Sequence, residues 1–259
     1  MSHPWFEGAT RPRVLAHRGL VLPGDAAAGV VENSFAAVAA AHSAGAVYVE
    51  SDCHLTADGT VVLFHDDDLS RVTGDPRKIA DVTVRELESL MAPRGGLVTL
   101  AQALESFPTL RFNLDVKAAD AAAPVGRIVR AHADRVLVTS FSDERRRAAL
   151  AAADAGDTGI RPATSAGRGT LVRVLAALAL RSDRRLSRAL SGIDALQVPE
   201  RNGRVRVVTP RLIAAAQRNG VEVHVWTVNE ADDIRRLLAM GVDGIVTDRV
   251  DLAMSIVCE

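Results

Sequence analysis

Short apolar runs alternate with amphipathic, capped stretches along most of this chain. Runs at residues 13–17, 46–54, 110–117, 135–140, 158–162, 194–198, 221–227 and 242–247 have the length and composition of buried strands. Several of the stretches between them follow one phrase: a capping residue, a helix, a glycine, then the next strand. Asn33-Ser34 opens a helix that runs to Gly45, Thr209-Pro210 one that ends at Gly220, and Asn229 one that ends at Gly241. Ser142 caps a further helix that stops at Gly156. Thr83-Val-Arg-Glu86 and Thr99-Leu-Ala-Gln102 both have the spacing of a capping box.

Eight strands alternating with helices predict a parallel sheet covered by helices, and within 259 residues they favour a closed (β/α)8 TIM barrel over an open doubly wound sheet. No glycine-rich dinucleotide or phosphate-loop fingerprint follows the first strand, which removes the usual reason to prefer the open fold. About 55 residues separate the second and third strands, too many for one crossover helix. The stretch His54 to His65 reads as a hairpin turned at Asp58-Gly59, which would return His65 to the end of the second strand. Residues 55–98 are therefore expected to form a small insertion, with a helix from Val84 to Met91, inside a single domain spanning 1–259.

The remaining bulk properties mainly exclude. A chain that is 48% hydrophobic and 24% charged can build a sizeable core. Its net charge of -1 gives no case for a nucleic-acid partner. Two cysteines, Cys53 and Cys258, make no disulfide framework, and Cys53 is expected to fill core. No signal peptide or membrane-spanning run is visible, so a cytoplasmic location is expected, with the oligomeric state left open. Leu171 to Leu180 is an apolar run followed by Arg181, Arg184, Arg185 and Arg188. It reads as an ordinary barrel helix with a solvated basic end; an amphipathic flap at an anionic membrane surface is the alternative.

Polar residues within the apolar strands point to chemistry. Alternate strand residues share a face, so Glu50, Asp52 and His54 point one way, and Asn113, Asp115 and Lys117 go together. Catalytic side chains in barrels sit where strands end, and His17, Glu50, Asp52, Asp115, Lys117, Ser140, Trp226 and Asp248 all fall at or near such ends. Crowded carboxylates without cysteines suit a hard divalent cation, Mg²⁺ or Ca²⁺. Arg18 and Lys117 would complement phosphate oxygens, and His17 and His65 form the natural proton-transfer pair. Trp226 is read as core at its base, with a face available to wall the substrate; Asp248 as simply the end of the last strand. His3, His42, His132 and His224 are read as hydrogen-bonded structural histidines.

In order along the chain, His17-Arg18-Gly19, Glu32-Asn33-Ser34, Glu50-Ser-Asp52, His65-Asp66, Asp115-Val-Lys117, Ser140-Phe141, Trp226-Thr-Val-Asn229 and Gly244-Ile-Val-Thr247-Asp248 resemble the glycerophosphodiester phosphodiesterase family from residue 14 to about 251. The resemblance implies a TIM barrel that hydrolyses a small-molecule glycerophosphodiester to glycerol 3-phosphate and an alcohol. It maps the metal ligands onto Glu50, Asp52 and Asp115, the acid/base histidines onto His17 and His65, the phosphate contacts onto Arg18 and Lys117, and the active-site wall onto Glu32. The chain departs from the family pattern at Asp115, usually glutamate and here shorter in reach by about 1.5 Å. Val31 stands where proline is common, and Arg249-Val250 where an aromatic-proline pair is. A lysophospholipase-D-like enzyme using the same site is the alternative activity. A catalytically dead binding module would be expected to lack a histidine or the carboxylate pair, and this chain keeps both.

Overall fold

Each strand of the barrel carries inward residues at every second position, and the barrel follows from that alternation. In the computed structural model, which describes residues 3–8, 11–154 and 159–258, eleven strands are formed. They are β1 (Arg13–His17), β2 (Tyr48–Leu55), β3 (Val61–Leu63), β4 (Arg111–Val116), β5 (Val136–Thr139), β6 (Ala163–Thr164), β7 (Ala195–Pro199), β8 (Arg201–Asn202), β9 (Val205–Arg206), β10 (Glu222–Trp226) and β11 (Gly244–Thr247). The path β6-β5-β4-β2-β1-β11-β10-β7 is parallel throughout. A single parallel bridge, Ser165 to Ala195, joins its two ends. This is a nearly closed (β/α)8 barrel, as the spacing predicts.

The boundaries differ from expectation in two places. The fifth barrel strand lies at 163–164 rather than 158–162, with residue 158 outside the described residues. Thr164 is the residue held there, its N–H donating to Asp194 and its hydroxyl to the carbonyl of Val138. Helix 143–154 follows Ser142 as expected, while Gly156 lies outside the described residues. Asn229 does not cap its helix. Glu230 stands at the cap, and the Asn229 side chain is committed elsewhere. Both predicted capping boxes are present, at Thr83/Glu86 and Thr99/Gln102.

The hairpin predicted at Asp58-Gly59 forms: β3 pairs antiparallel with β2, Cys53 opposite Leu63. The insertion buries its own apolar cluster, with Phe64, Leu69, Ile79, Leu87 and Met91 at its centre. His65 follows β3 directly and is carried to the end of β2.

Outward residues of the strands (Val14, Val49, Cys53, Leu114 and Val138 among them) pack under the helices. Inward residues form a second cluster around Leu15, Tyr48, Leu137 and Val246. Trp5 closes this cluster from below, a role not foreseen in the N-terminal residues. It is fully buried, tilts against Tyr48 at 4.6 Å between ring centres, and donates its indole N–H to the carbonyl of Phe112 at 3.1 Å. Arg13, also buried, forks onto Glu222 at 2.7 and 2.9 Å and donates to the Tyr48 hydroxyl at 2.6 Å.

Burial alone would raise the Glu222 carboxyl, but hydrogen bonds from His224 and Arg13 outweigh it and hold the group down at about 2, against an ordinary 4.5. A depressed carboxyl contributes stability that is complete above its unfolded value and lost as pH falls through its folded one; this shift corresponds to about 3 kcal/mol. Glu222→Gln is therefore expected to be less stable than the native chain by about that amount at neutral pH. The gap should close between about pH 4.5 and pH 2, as measured by urea unfolding. A gap that does not vary with pH would show that Glu222 is not held ionised by this pair.

Candidate active site

The parallel register sets the site in rows. His17 lies beside Glu50 and Glu50 beside Asn113; one row higher, Asp52 lies beside Asp115 and Asp115 beside Thr139. All six face inward at the C-terminal end of the barrel, where strand ends carry the chemistry of this architecture. They open into a cavity of about 580 Å³ that is also lined by Arg18, His65, Lys117, Phe141, Gln197 and Trp226.

The turn after β1 aims Arg18. Arg18 has φ 58°, Gly19 φ 92° and Asn33 φ 57°, a tight left-handed corner. A Cβ on Gly19 would lie 2.6 Å from the Ala37 carbonyl carbon, so only glycine lets helix 35–43 approach. The corner is locked by Arg18 N–H to the Glu50 carbonyl at 2.7 Å and Asn33 N–H to the Arg18 carbonyl at 2.9 Å. Ser34 caps that helix, as its sequence predicts.

Both candidate histidines are gripped at Nδ1 by a carboxylate. His17 Nδ1 is 2.6 Å from Asp248 Oδ1, and His65 Nδ1 is 2.6 Å from Asp66 Oδ1. Burial by itself would raise both aspartates, but hydrogen bonds outweigh it: from His17 and Asn229 for Asp248, from Arg71 and His65 for Asp66. Both are held below the usual carboxylate range. An ionised carboxylate only accepts, so each Nδ1 must be the donor and each Nε2 is left for the cavity. Asp248 is thus more than the end of the last strand. Asn229 donates to its Oδ2 at 2.7 Å while accepting from the Asp248 N–H and the Thr247 hydroxyl, which clamps the carboxylate against His17. Asp248→Asn is expected to lower kcat by roughly 10- to 100-fold with little change in KM, by loosening and mis-protonating His17. Unchanged steady-state turnover would show that the clamp has no bearing on chemistry.

Glu32 does not line the cavity. Its Oε1 accepts from Arg18 at 2.7 Å and from Arg71 at 2.7 Å, and Arg71 also holds Asp66 at 2.6 Å. Glu32, the wall residue implied by the resemblance, braces the site, linking the Arg18 fork through Arg71 to the carboxylate behind His65. Arg71, on the insertion, gave no sign of this in the sequence: its partners are 5 and 39 residues away. His54, on the same face as Asp52, is buried and fixes the His65 backbone, with Nε2 3.2 Å from its carbonyl. Burial pushes the His54 pKa down, so it stays neutral there.

The carboxylates crowd around one ammonium. Lys117 Nζ lies 2.8 Å from Asp115 Oδ2 and 2.9 Å from Asp52 Oδ1. Burial opposes the charge on Lys117, yet Asp115 and Asp52 outweigh it and raise its pKa. Asp52 is also held by Asn33 Nδ2 at 3.2 Å, and Arg18 Nε lies 3.2 Å from the same oxygen without bonding to it. Glu50 is different. Its Oε2 is buried with no hydrogen-bond partner, His17 Nε2 standing 3.9 Å away, and Asp115 Oδ1 also lacks one. Burial first, then Asp52 and Asp115, raise Glu50 well above the usual carboxylate range. Burial likewise raises Asp115.

This donor set suits a hard cation: three carboxylates, two of them with an unsatisfied buried oxygen, in a site where negative charge is under-compensated. Among the described residues, however, no three acidic, histidine or cysteine side chains already close into a metal cage. The ammonium of Lys117 stands between Asp52 and Asp115 instead.

The far wall is aromatic and apolar. Phe141 and Trp226 meet edge to face at 5.9 Å, and Lys117 lies 5.7 Å from the Phe141 ring centre. Leu171 and Leu175 extend this wall. His3, His42, His132 and His224 all make the structural hydrogen bonds expected of them and stay out of the cavity.

The family model for glycerophosphoryl diester phosphodiesterases matches residues 17–252. A probable glycerophosphodiester phosphodiesterase 2 of Mycobacterium tuberculosis is 37% identical over 245 residues, which span 92% of this chain and 88% of that protein. The solved glycerophosphodiester phosphodiesterase of Thermotoga maritima superposes with a TM-score of 0.70 at 26% identity, covering 96% of this chain and 99% of its own. A phosphodiesterase of Oleispira antarctica, solved in complex with the product sn-glycerol-3-phosphate, gives a TM-score of 0.73 at 23% identity, covering 96% and 98%. A match over nearly the whole chain, on a barrel whose strand ends carry these histidines and carboxylates, places this protein in the glycerophosphoryl diester phosphodiesterase family, as a phosphoric diester hydrolase.

Proposed function

We propose that this enzyme hydrolyses glycerophosphodiesters to glycerol 3-phosphate and an alcohol, dependent on a divalent cation, with His17 and His65 moving the protons. The observation that carries this reading is the shared state of the two imidazoles. Each has Nδ1–H committed to an ionised aspartate and Nε2 open to the same cavity. One Nε2 takes the proton of the attacking hydroxyl as its oxygen bonds to phosphorus; that hydroxyl is water's, or the substrate's own glycerol's, in which case water then opens the cyclic phosphate to glycerol 3-phosphate. As the bond from phosphorus to the leaving oxygen breaks, the other imidazole, protonated, gives its proton to that oxygen. Arg18, steadied by Glu32, is the planar fork for non-bridging phosphate oxygens, and Lys117 a second cation beside it.

Glu50, Asp52 and Asp115 are the residues that would hold Mg²⁺ or Ca²⁺, and such an ion would polarise the phosphoryl group and offset its growing negative charge. The unpartnered oxygens of Glu50 and Asp115 support this. Glycerol 3-phosphate is also the molecule bound in the Oleispira antarctica phosphodiesterase. The apolar wall of Phe141, Leu171, Leu175 and Trp226 favours one second reading: the same site acting on lysophospholipids.

The test is glycerol 3-phosphate release from glycerophosphocholine and glycerophosphoethanolamine by EDTA-stripped protein, with Mg²⁺ or Ca²⁺ restored. Metal-restored release is the expected result. Full activity after stripping would remove the cation from the reading. Silence on both diesters with choline released from lysophosphatidylcholine would move the activity to the lipid substrate.

A further inference from the structure

Large apolar side chains are exposed unevenly over this molecule. Among the described residues eight are exposed, and four of them stand apart: Phe141 at 58%, Val172 at 58%, Leu180 at 61% and Val205 at 66%, with the others at 42% or less. Three of them lie at or beside the active-site mouth, and the fourth ends the helix that borders it. Phe141 and Val172 line the cavity itself. Val205 lies at the turn of the β8–β9 ribbon, paired with Asn202, which also lines the cavity. Leu180 follows helix 168–179, whose first two turns run along the rim through Arg168, Leu171 and Leu175.

That helix is unusual for a surface helix. Thr170, Val174 and Ala177 face the barrel, while Val172, Ala176 and Leu180, spaced four apart, form an outward apolar stripe beside the exposed Arg173. A polar outer face is the norm where water is the only neighbour.

Around the stripe the charge is all but one-signed. Arg181, Arg184, Arg185 and Arg188 follow it in sequence, all exposed, with Leu186 and Leu190 holding their helix down. Arg201, Arg204 and Arg206 surround Val205 on the ribbon. None of these seven forms an ion pair among the described residues, and Asp183 is the lone carboxylate in either segment. Several arginines elsewhere are neutralised: Arg71 by Asp66 and Glu32, Arg77 by Asp75, Arg161 by Asp194, Arg236 by Glu200. The whole chain carries a net charge of only -1, so this concentration is local.

We infer that the mouth of the active site, from the 168–190 helical pair to the β8–β9 ribbon, docks on an anionic lipid bilayer, with Val172, Leu180 and Val205 entering the interface and the arginines meeting the head groups. Charge complementarity and continuity with the mouth single out lipid. Apolar residues ringed by unpaired arginines match a surface that is apolar below and anionic above. No helix of the described residues is long and apolar enough to cross a membrane, so the attachment is peripheral. It is also reversible, since it rests on a few side chains and on salt-sensitive charge. The inference rests on the phosphodiesterase reading only in giving the mouth a reason to face lipid-derived substrate. Helix 168–179 packs on the barrel as the sequence predicts, and the docking inferred here uses its outward stripe.

The experiment is flotation of the full-length protein with vesicles of phosphatidylcholine alone and of phosphatidylcholine with a third phosphatidylglycerol, at low and at raised salt. Binding to the anionic vesicles, weak binding to neutral ones and release by salt are expected. Removing an arginine from such a surface should cost about fivefold in affinity each. R184Q/R185Q/R188Q and, separately, Leu180→Asp and Val205→Asp should therefore lose flotation. None of these five residues lines the cavity, so their turnover of soluble glycerophosphocholine should stay native, which also reports that the variants are folded. No flotation on anionic vesicles at low salt, equal binding to neutral and anionic vesicles, or undiminished binding by the triple variant would each overturn the inference. So would retention on immobilised DNA without retention on vesicles. Native activity with failed flotation overturns the docking alone; failed activity of the native chain on the diesters overturns the functional reading instead.

Discussion

Replacing His17 or His65 by alanine is expected to lower kcat by roughly 10²- to 10⁴-fold, the usual worth of a positioned proton donor or acceptor. The two losses should be similar, because the reaction as read here uses both imidazoles in one displacement, and the double variant should be little worse than either single one. Stability should barely move. His17 and His65 are both partly exposed and each anchors one carboxylate that has other donors, Asn229 for Asp248 and Arg71 for Asp66. Steady-state rates and urea unfolding on the same preparations separate the two effects. A single variant within tenfold of native turnover would take that histidine out of the chemistry, and the two together would sink the acid–base reading.

Lys117→Met should act on stability and on metal response together. The ammonium lies within 2.9 Å of both Asp52 and Asp115, which are buried, and Glu50, whose Oε2 lacks a hydrogen bond, is on the same face of β2 as Asp52. Methionine keeps the stem and removes the charge. That leaves buried Asp115 without its cation and Asp52 with Arg18 alone, and removing one partner of a buried pair typically costs about 3–5 kcal/mol. If Glu50, Asp52 and Asp115 hold a divalent cation, millimolar Mg²⁺ or Ca²⁺ should restore much of the loss, because ligand binding to the native state alone raises stability by mass action. Thermal melts in EDTA and in added metal read this without any substrate. A melting temperature that falls in EDTA and does not recover with either ion would argue against a cation at these three carboxylates. A variant as stable as the native chain would show that the ion pair is not what holds them.

The same residues show how far sequence reading reaches. Alternation of period two in 46–54 and 110–117 is enough to place Glu50, Asp52, Asn113, Asp115 and Lys117 on inward faces, since a strand has no other way to distribute side chains. The turn signal at Asp58-Gly59 is enough to bring His65 back to them, because it is local. What failed were assignments whose partners are distant in the chain. Asn229 has the chemistry of a helix cap, and nothing nearby reveals that Asp248, brought beside His17 by the β1–β11 pairing, competes for it and wins. Trp5 lies in a stretch without periodicity, and its burial depends on a barrel floor built from Tyr48, Phe112 and His224.

The sequence by itself determined the barrel, the inward set of charged residues and the family, for these rest on local periodicity, turn chemistry and the order of short motifs. Only the tertiary structure decided that Asp248 grips His17, that Glu32 braces Arg18, and that Lys117 reaches across to Asp52. These partners are 14 to 231 residues apart, brought together by strand register and helix packing, and no local pattern carries them.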